Sequence, residues 1–194
     1  MRMRHRPSRR FVPPRPLPGE PRIEEEVARM MRVDHAGELA AVHIYRGQRV
    51  VMGERHRLSP VIREMETQEQ EHLARFDRLL QERRVRPSLL APLWEAAGYA
   101  LGAVTALMGP HAAMAATAAV EEVIDDHYAR QRDRLRQWPE TAELAETVER
   151  FRRDEASHRE EALAQGAERT PGYPLLAGII KAGCRFAIRI AERI

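Results

Sequence analysis

Apolar residues along this chain recur at steps of three and four, and runs alternating β-branched with polar residues do not occur, so the pattern predicts an all-α protein. A first helix is expected from about Ile23 to Met52. A second opens at Ser59-Pro60, with serine as N-cap and proline at the first helical position, and continues to about Arg84. The third segment, Leu89 to Met108, is rich in Ala, Gly and Leu and ends at Gly109-Pro110. A fourth helix follows to about Gln137, Trp138-Pro139 turns the chain, and a fifth runs from about Glu140 to Gln165. Gly166 to Pro174 reads as a loop before a last helix from Leu175 to Ile194.

Four of these helices carry an apolar stripe that is interrupted by acids. In the first helix the stripe is Val27, Met31, Asp34, Glu38, Val42 and Tyr45, and in the second it is Ile62, Met65, Glu69, His72, Phe76 and Leu79. In the fourth it is Met114, Thr117, Glu121, Ile124 and Tyr128, and in the fifth it is Leu144, Val148, Phe151, Glu155, His158 and Ala162. The inward order is therefore Glu, Glu-x-x-His, Glu, Glu-x-x-His, which is the ligand arrangement of a paired metal site within a four-helix bundle. The spacing suggests a duplicated helical hairpin, each copy offering one metal three ligands.

A lone Glu-x-x-His in a Glu-rich helix is usually a surface coincidence, and a carboxylate on an apolar stripe can be an arginine's partner. Four inward carboxylates and two imidazoles differ, because without cations their desolvation and repulsion cost several kcal/mol per group. Glu38, Glu69, His72, Glu121, Glu155 and His158 are thus the candidate metal ligands. His35 and His127 lie beside them and are candidate donors that fix a ligand's orientation. Carboxylate and imidazole without thiolate suit iron or manganese, while structural zinc would favour cysteine and calcium would avoid histidine. Two redox-active ions can give two electrons to O2.

Composition changes the picture in two places. The 194 residues suffice for one core without staples, and the single Cys184 cannot form an internal disulfide. The formal charge of +3 hides an uneven distribution: six arginines precede the first acid, Glu20, so the rest of the chain sums to −3. Residues 1–20 read as a flexible Arg/Pro-rich arm without the apolar stretch of a secretory signal, and residues 21–194 as one domain. The basic pI belongs to that arm, so no nucleic-acid face is expected.

The flanking residues are more specific than the spacing. Arg32-Val33-Asp34-His35-Ala36-Gly37-Glu38, Ile44-Tyr45-Arg46-Gly47-Gln48, Gln68-Glu69-Gln70-Glu71-His72-Leu73, Ala119-Val120-Glu121-Glu122, His127-Tyr128, Asp154-Glu155-Ala156-Ser157-His158 and Ala182-Gly183-Cys184-Arg185 together resemble the demethoxyubiquinone hydroxylases of ubiquinone biosynthesis. The resemblance covers about residues 28–194. It implies a ferritin-like four-helix bundle with two additional hydrophobic or amphipathic, membrane-associating helices. It also implies that the six residues ligate two iron ions, with Glu69 and Glu155 as bridges, and that Glu121 rather than Glu122 is a ligand. The implied reaction is hydroxylation of a polyprenylated demethoxyubiquinone ring with O2. NADH is the expected ultimate electron donor, reached without a dinucleotide fold because no GxGxxG follows a strand. His127 and Tyr128 are candidates for quinone or electron handling.

A polyprenyl substrate places the protein at a bilayer. Leu89 to Met108 is near the length of a span, but Glu95 and Pro92 favour a core-lining or interfacial helix. In the last helix Lys181, Arg185 and Arg189 step by four beside apolar positions, the pattern of a helix lying among lipid headgroups. The expected location is peripheral, on the cytoplasmic face of a bacterial inner membrane, with the mitochondrial matrix face as the alternative. Other ubiquinone-biosynthesis proteins or a second copy are conceivable partners. A ferritin-like iron-binding or storage protein is the competing reading.

Overall fold

The computed structural model describes residues 22–193, so the expected arm at residues 1–20 lies outside the described residues. Six helices follow one another: α1 (Ile23–Met52), α2 (Ser59–Glu82), α3 (Ala91–Leu107), α4 (Pro110–Leu135), α5 (Ala142–Ala164) and α6 (Tyr173–Ala191), with no strand among the described residues. Short 3-10 turns at Pro139–Thr141 and Ala167–Arg169 join α4 to α5 and α5 to α6. The expected all-α, ferritin-like four-helix bundle is formed by α1, α2, α4 and α5.

The duplication extends beyond the hairpins. The α1/α2 hairpin carries α3 laid along α1, and the α4/α5 hairpin carries α6 laid along α4. Two apolar clusters fill the bundle. Met31, Phe76, Leu79, Tyr128, Val148 and Phe151 pack in one, and Tyr45, Ile62, Met65, Met114 and Ala162 pack in the other. On each bundle helix the acidic position falls between residues of the two clusters, so the polar layer has a dry floor and a dry ceiling.

Several helix ends differ from the sequence reading. Leu58, not Ser59, is the residue before α2, and the Ser59 hydroxyl donates to the Gly53 carbonyl at 2.6 Å, closing the α1–α2 loop instead of capping the helix. Residues 83–84 fall outside α2, and Arg84 adopts a left-handed φ of 54°. Pro174 sits in the first turn of α6, where a missing N–H costs nothing, so that helix starts before the expected Leu175.

The third helix packs by close backbone approach. A Cβ on Gly102 would collide with the Ile44 carbonyl oxygen, and one on Gly98 with that of Ala40. Among the described residues no helix is long and apolar enough to cross a membrane. On α6 the expected basic row is split: Arg185 and Arg189 are exposed, while Lys181 turns to Glu122 of α4 at 2.6 Å.

Candidate metal centre

The six stripe residues meet in the middle of the bundle. Glu38 comes from α1, Glu69 and His72 from α2, Glu121 from α4, and Glu155 and His158 from α5, and none is more than 3% exposed. Their ligand atoms form two overlapping groups, Glu38 with Glu69, His72 and Glu155, and Glu121 with Glu69, Glu155 and His158, each within 4.8 Å. Glu69 and Glu155 belong to both groups. Each hairpin thus lends one carboxylate to the other's group, an exchange that the helix count alone did not predict.

The atoms that would face cations lack other partners. Both carboxylate oxygens of Glu69, both of Glu155, and Nδ1 of His72 and His158 are buried and find no partner outside this layer, only one another: His158 Nδ1 lies 3.0 Å from Glu69 and His72 Nδ1 lies 3.2 Å from Glu155. Buried polar atoms are rarely left so. A donor set of four carboxylates and two imidazoles, with its orphaned atoms converging, fits a pair of divalent ions of the iron or manganese type.

Around this layer the two halves support each other. The Tyr45 hydroxyl of α1 donates to Glu121 Oε1 at 2.7 Å, and the Tyr128 hydroxyl of α4 donates to Glu38. Each tyrosine stands seven residues after the acid of its own helix and binds the acid of the other. The histidines follow the same rule with their outer nitrogens. His72 Nε2 lies 3.1 Å from Asp154 of α5, and His158 Nε2 lies 2.7 Å from Gln68 of α2. Such partners fix which ring nitrogen is left for a metal.

Electrostatics agree with a site built for positive charge. Burial works to lower the His158 pKa, but hydrogen bonds to Glu155 and Glu69 outweigh it and push it up to about 11. His72 is raised further, with burial opposed by Glu155, Glu38 and Glu69. Burial, then the charges of Glu155 and Glu69, lift Glu121 well above the carboxylate range. Without metal the layer therefore holds protons, and cations would take their place. Burial and the neighbouring glutamates also raise Tyr45 and Tyr128, so both phenols remain O–H donors at neutral pH.

On the carboxylate side lies a cavity reached by Glu38, Glu69, Glu121 and Glu155 and walled by Val33, Ala36, Ile44, Trp94, Val120 and Ile188. Neither metal-facing histidine lines it. Tyr128 and His127 do, and His127 Nε2 sits 3.3 Å from Asp34 Oδ1. Asp34 also accepts from Gln131 at 2.5 Å, and burial raises its pKa against both partners. His35 does not reach the metal layer: its Nε2 lies 3.0 Å from Asp77 at the rim of α2, correcting its expected role beside a ligand. Glu122 points away too, and its hydrogen bond from Lys181 holds it below the usual carboxylate range.

Taken singly, the sequence puts Tyr45 on an apolar stripe and assigns Gln68 and Asp154 no role. The repeated offsets would have marked them: tyrosine at plus seven from each lone glutamate, and a hydrogen-bond acceptor immediately before each Glu-x-x-His.

The family described as "Ubiquinone biosynthesis protein COQ7" matches residues 25–191. The 3-demethoxyubiquinol 3-hydroxylase of Rhodospirillum rubrum is 50% identical over 178 residues, covering 92% of this chain and 83% of that protein. The mitochondrial NADPH-dependent 3-demethoxyubiquinone 3-hydroxylase of Homo sapiens is 48% identical over 170 residues, 87% of this chain and 78% of the relative. The mitochondrial 5-demethoxyubiquinone hydroxylase of Saccharomyces cerevisiae is 43% identical over 180 residues, 86% and 77% of the two chains.

Proposed function

The chain belongs to the COQ7 family of ubiquinone biosynthesis proteins, and on that premise we propose that it is a monooxygenase that hydroxylates the ring of a polyprenylated demethoxyubiquinone with O2. The observation that carries this reading is the orphaned set of buried donors, Glu69, Glu155, His72 and His158, which opens on its carboxylate side into an apolar cavity. Glu38, Glu69, His72, Glu121, Glu155 and His158 would hold two iron ions, Glu69 and Glu155 belonging to both ligand groups. A ferrous pair bound there would supply the two electrons that O2 activation needs.

The protein's own part is positioning and exclusion of water. The cavity wall of Val33, Ile44, Trp94 and Ile188 offers an apolar seat for the quinone ring beside the four carboxylates. Tyr45 and Tyr128 keep Glu121 and Glu38 turned inward by O–H donation, and their raised pKa values keep those protons in place. His127, held by Asp34, stands between the cavity and a polar pocket lined by Arg29, Arg130 and Gln131. The human relative's name specifies NADPH, so the donor is NADPH or the NADH expected from the sequence.

Substrate entry is from a bilayer. Leu93, Val104 and Leu107 of α3 and Leu175, Ile179 and Phe186 of α6 are exposed, on the two helices that flank the cavity. Such a surface fits peripheral association, on the cytoplasmic face of a bacterial inner membrane or on the matrix side in a mitochondrion.

The test is ring hydroxylation by the iron-loaded full chain, given a short-chain demethoxyubiquinone, NADPH or NADH, and ¹⁸O2. Label in the new hydroxyl is expected, together with co-sedimentation of the protein with vesicles. Iron oxidation without labelled product would instead favour the storage reading.

A further inference from the structure

The metal layer is nearly two-fold symmetric in its inner residues, one terminal glutamate and one histidine per group with two shared glutamates. Its outer residues break that symmetry. Both histidines turn Nδ1 inward and Nε2 outward, so each ring must donate Nε2–H to its outer partner once a cation occupies Nδ1. For His72 that partner is the carboxylate of Asp154, and for His158 it is the amide oxygen of Gln68. Only the oxygen of Gln68 can accept, so the orientation of this amide is fixed by its role.

The two acceptors differ by a full charge. Donation to a carboxylate makes an imidazole more basic than donation to a neutral amide, and a more basic ring binds a cation harder. Two features limit the difference. The Asp154 side chain is 42% exposed, so water screens it, and the Gln68 contact is the shorter of the two. A unit charge nonetheless outweighs a few tenths of an ångström in a neutral bond, leaving an effect at the low end of the 10- to 100-fold range seen for outer partners of metal-bound histidines. Ring packing acts in the same direction: Phe151 stacks on His72 with centroids 3.9 Å apart, whereas His158 meets only the edge of Tyr45 at 6.2 Å.

Resting on the ligand reading given above, we propose that the two metal positions are inequivalent, the ion held by Glu38 and His72 binding more tightly than the ion held by Glu121 and His158, with Asp154 and Gln68 as the positioning residues that set the difference.

The experiment is anaerobic equilibrium competition between the ferrous-loaded full chain and a chelator, read together with Mössbauer spectra. The wild type should release iron in two steps about tenfold apart and show two distinct ferrous doublets. Asp154→Asn should weaken the tighter step about tenfold and leave the other within a factor of two, merging the steps, and Asp154→Glu should restore them. Gln68→Glu should tighten the weaker step several-fold, roughly in the same range. Since Gln68 and Asp154 are both partly exposed, circular dichroism should show each variant folded. A single release step in the wild type, or an equal shift of both steps in Asp154→Asn, would overturn the proposal. Wild-type protein that holds less than two ions tightly enough to titrate would overturn the ligand assignment itself.

Discussion

Helices α3 and α6 hold corresponding places, each trailing its hairpin and covering one side of the cavity, yet they are fastened by different physics. α3 is seated by glycines against the backbone of α1, with Gly98 and Gly102 meeting Ala40 and Ile44 so closely that no side chain fits. α6 has open space around Gly178 and Gly183, buries only Ala177, Ile180 and Ala191 fully, and is tied to α4 through Lys181 and Glu122. Tight backbone contact gives a fixed wall, whereas an ion pair over a shallow apolar seam gives a cover with a lower opening cost. The side of the cavity formed by Ala187, Ile188 and Ala191 is accordingly the more readily displaced.

Glycine substitutions should split the two helices most sharply. Gly102→Ala forces backbone apart and is expected to lower stability by about 1–3 kcal/mol, the usual range for overpacking. Gly183→Ala meets nothing and should raise it by about 0.5–1 kcal/mol through helix propensity. Thermal unfolding of the pair decides this, and equal effects would remove the distinction between wall and cover.

A smaller effect is expected at the ion pair. Lys181→Met removes an attachment of about 0.5–1 kcal/mol, so amide exchange in α6 should quicken about two- to fivefold while α3 is unchanged. Exchange that rises equally in both helices would mean that they open together.

The smallest expected effect concerns the hairpins beneath. In the second, Glu149 of α5 accepts from Arg152 and from Arg132 of α4, and these bonds hold its pKa at about 2. A carboxylate depressed in the folded state stabilises above its unfolded pKa near 4.5 and loses that contribution as pH falls toward 2. Glu149→Gln should therefore cost no more than about 1 kcal/mol at pH 7 after solvent screening, with the gap to wild type closing between about pH 4.5 and 2. Denaturant titrations across that window provide the measurement, and a gap that persists at pH 2 would assign the loss to packing.

Much of the bundle was legible because its signals are local and periodic. Glu38, Glu69, His72, Glu121, Glu155 and His158 stand out on apolar stripes, and the structure gathers all six. What stayed hidden required partners distant in sequence. His35 and His127 look alike as neighbours of acidic turns, but only contacts across helices send one to Asp77 and the other to Asp34. Lys181 reads as part of a basic face until Glu122, 59 residues earlier, is found beside it. The Ser59-Pro60 signal marks the start of α2 correctly and misses only the cap, since the hydroxyl donates instead to the Gly53 carbonyl six residues earlier.

The central claim is that the two hairpins jointly build one buried site for two ions, sharing Glu69 and Glu155. Iron content per chain, measured after anaerobic loading and gel filtration for the wild type and Glu155→Ala, tests this most directly. The account predicts two irons in the wild type and less than one in the variant, because Glu155 serves both groups. A variant that keeps one full iron with unchanged spectroscopic properties would show two independent sites and contradict it.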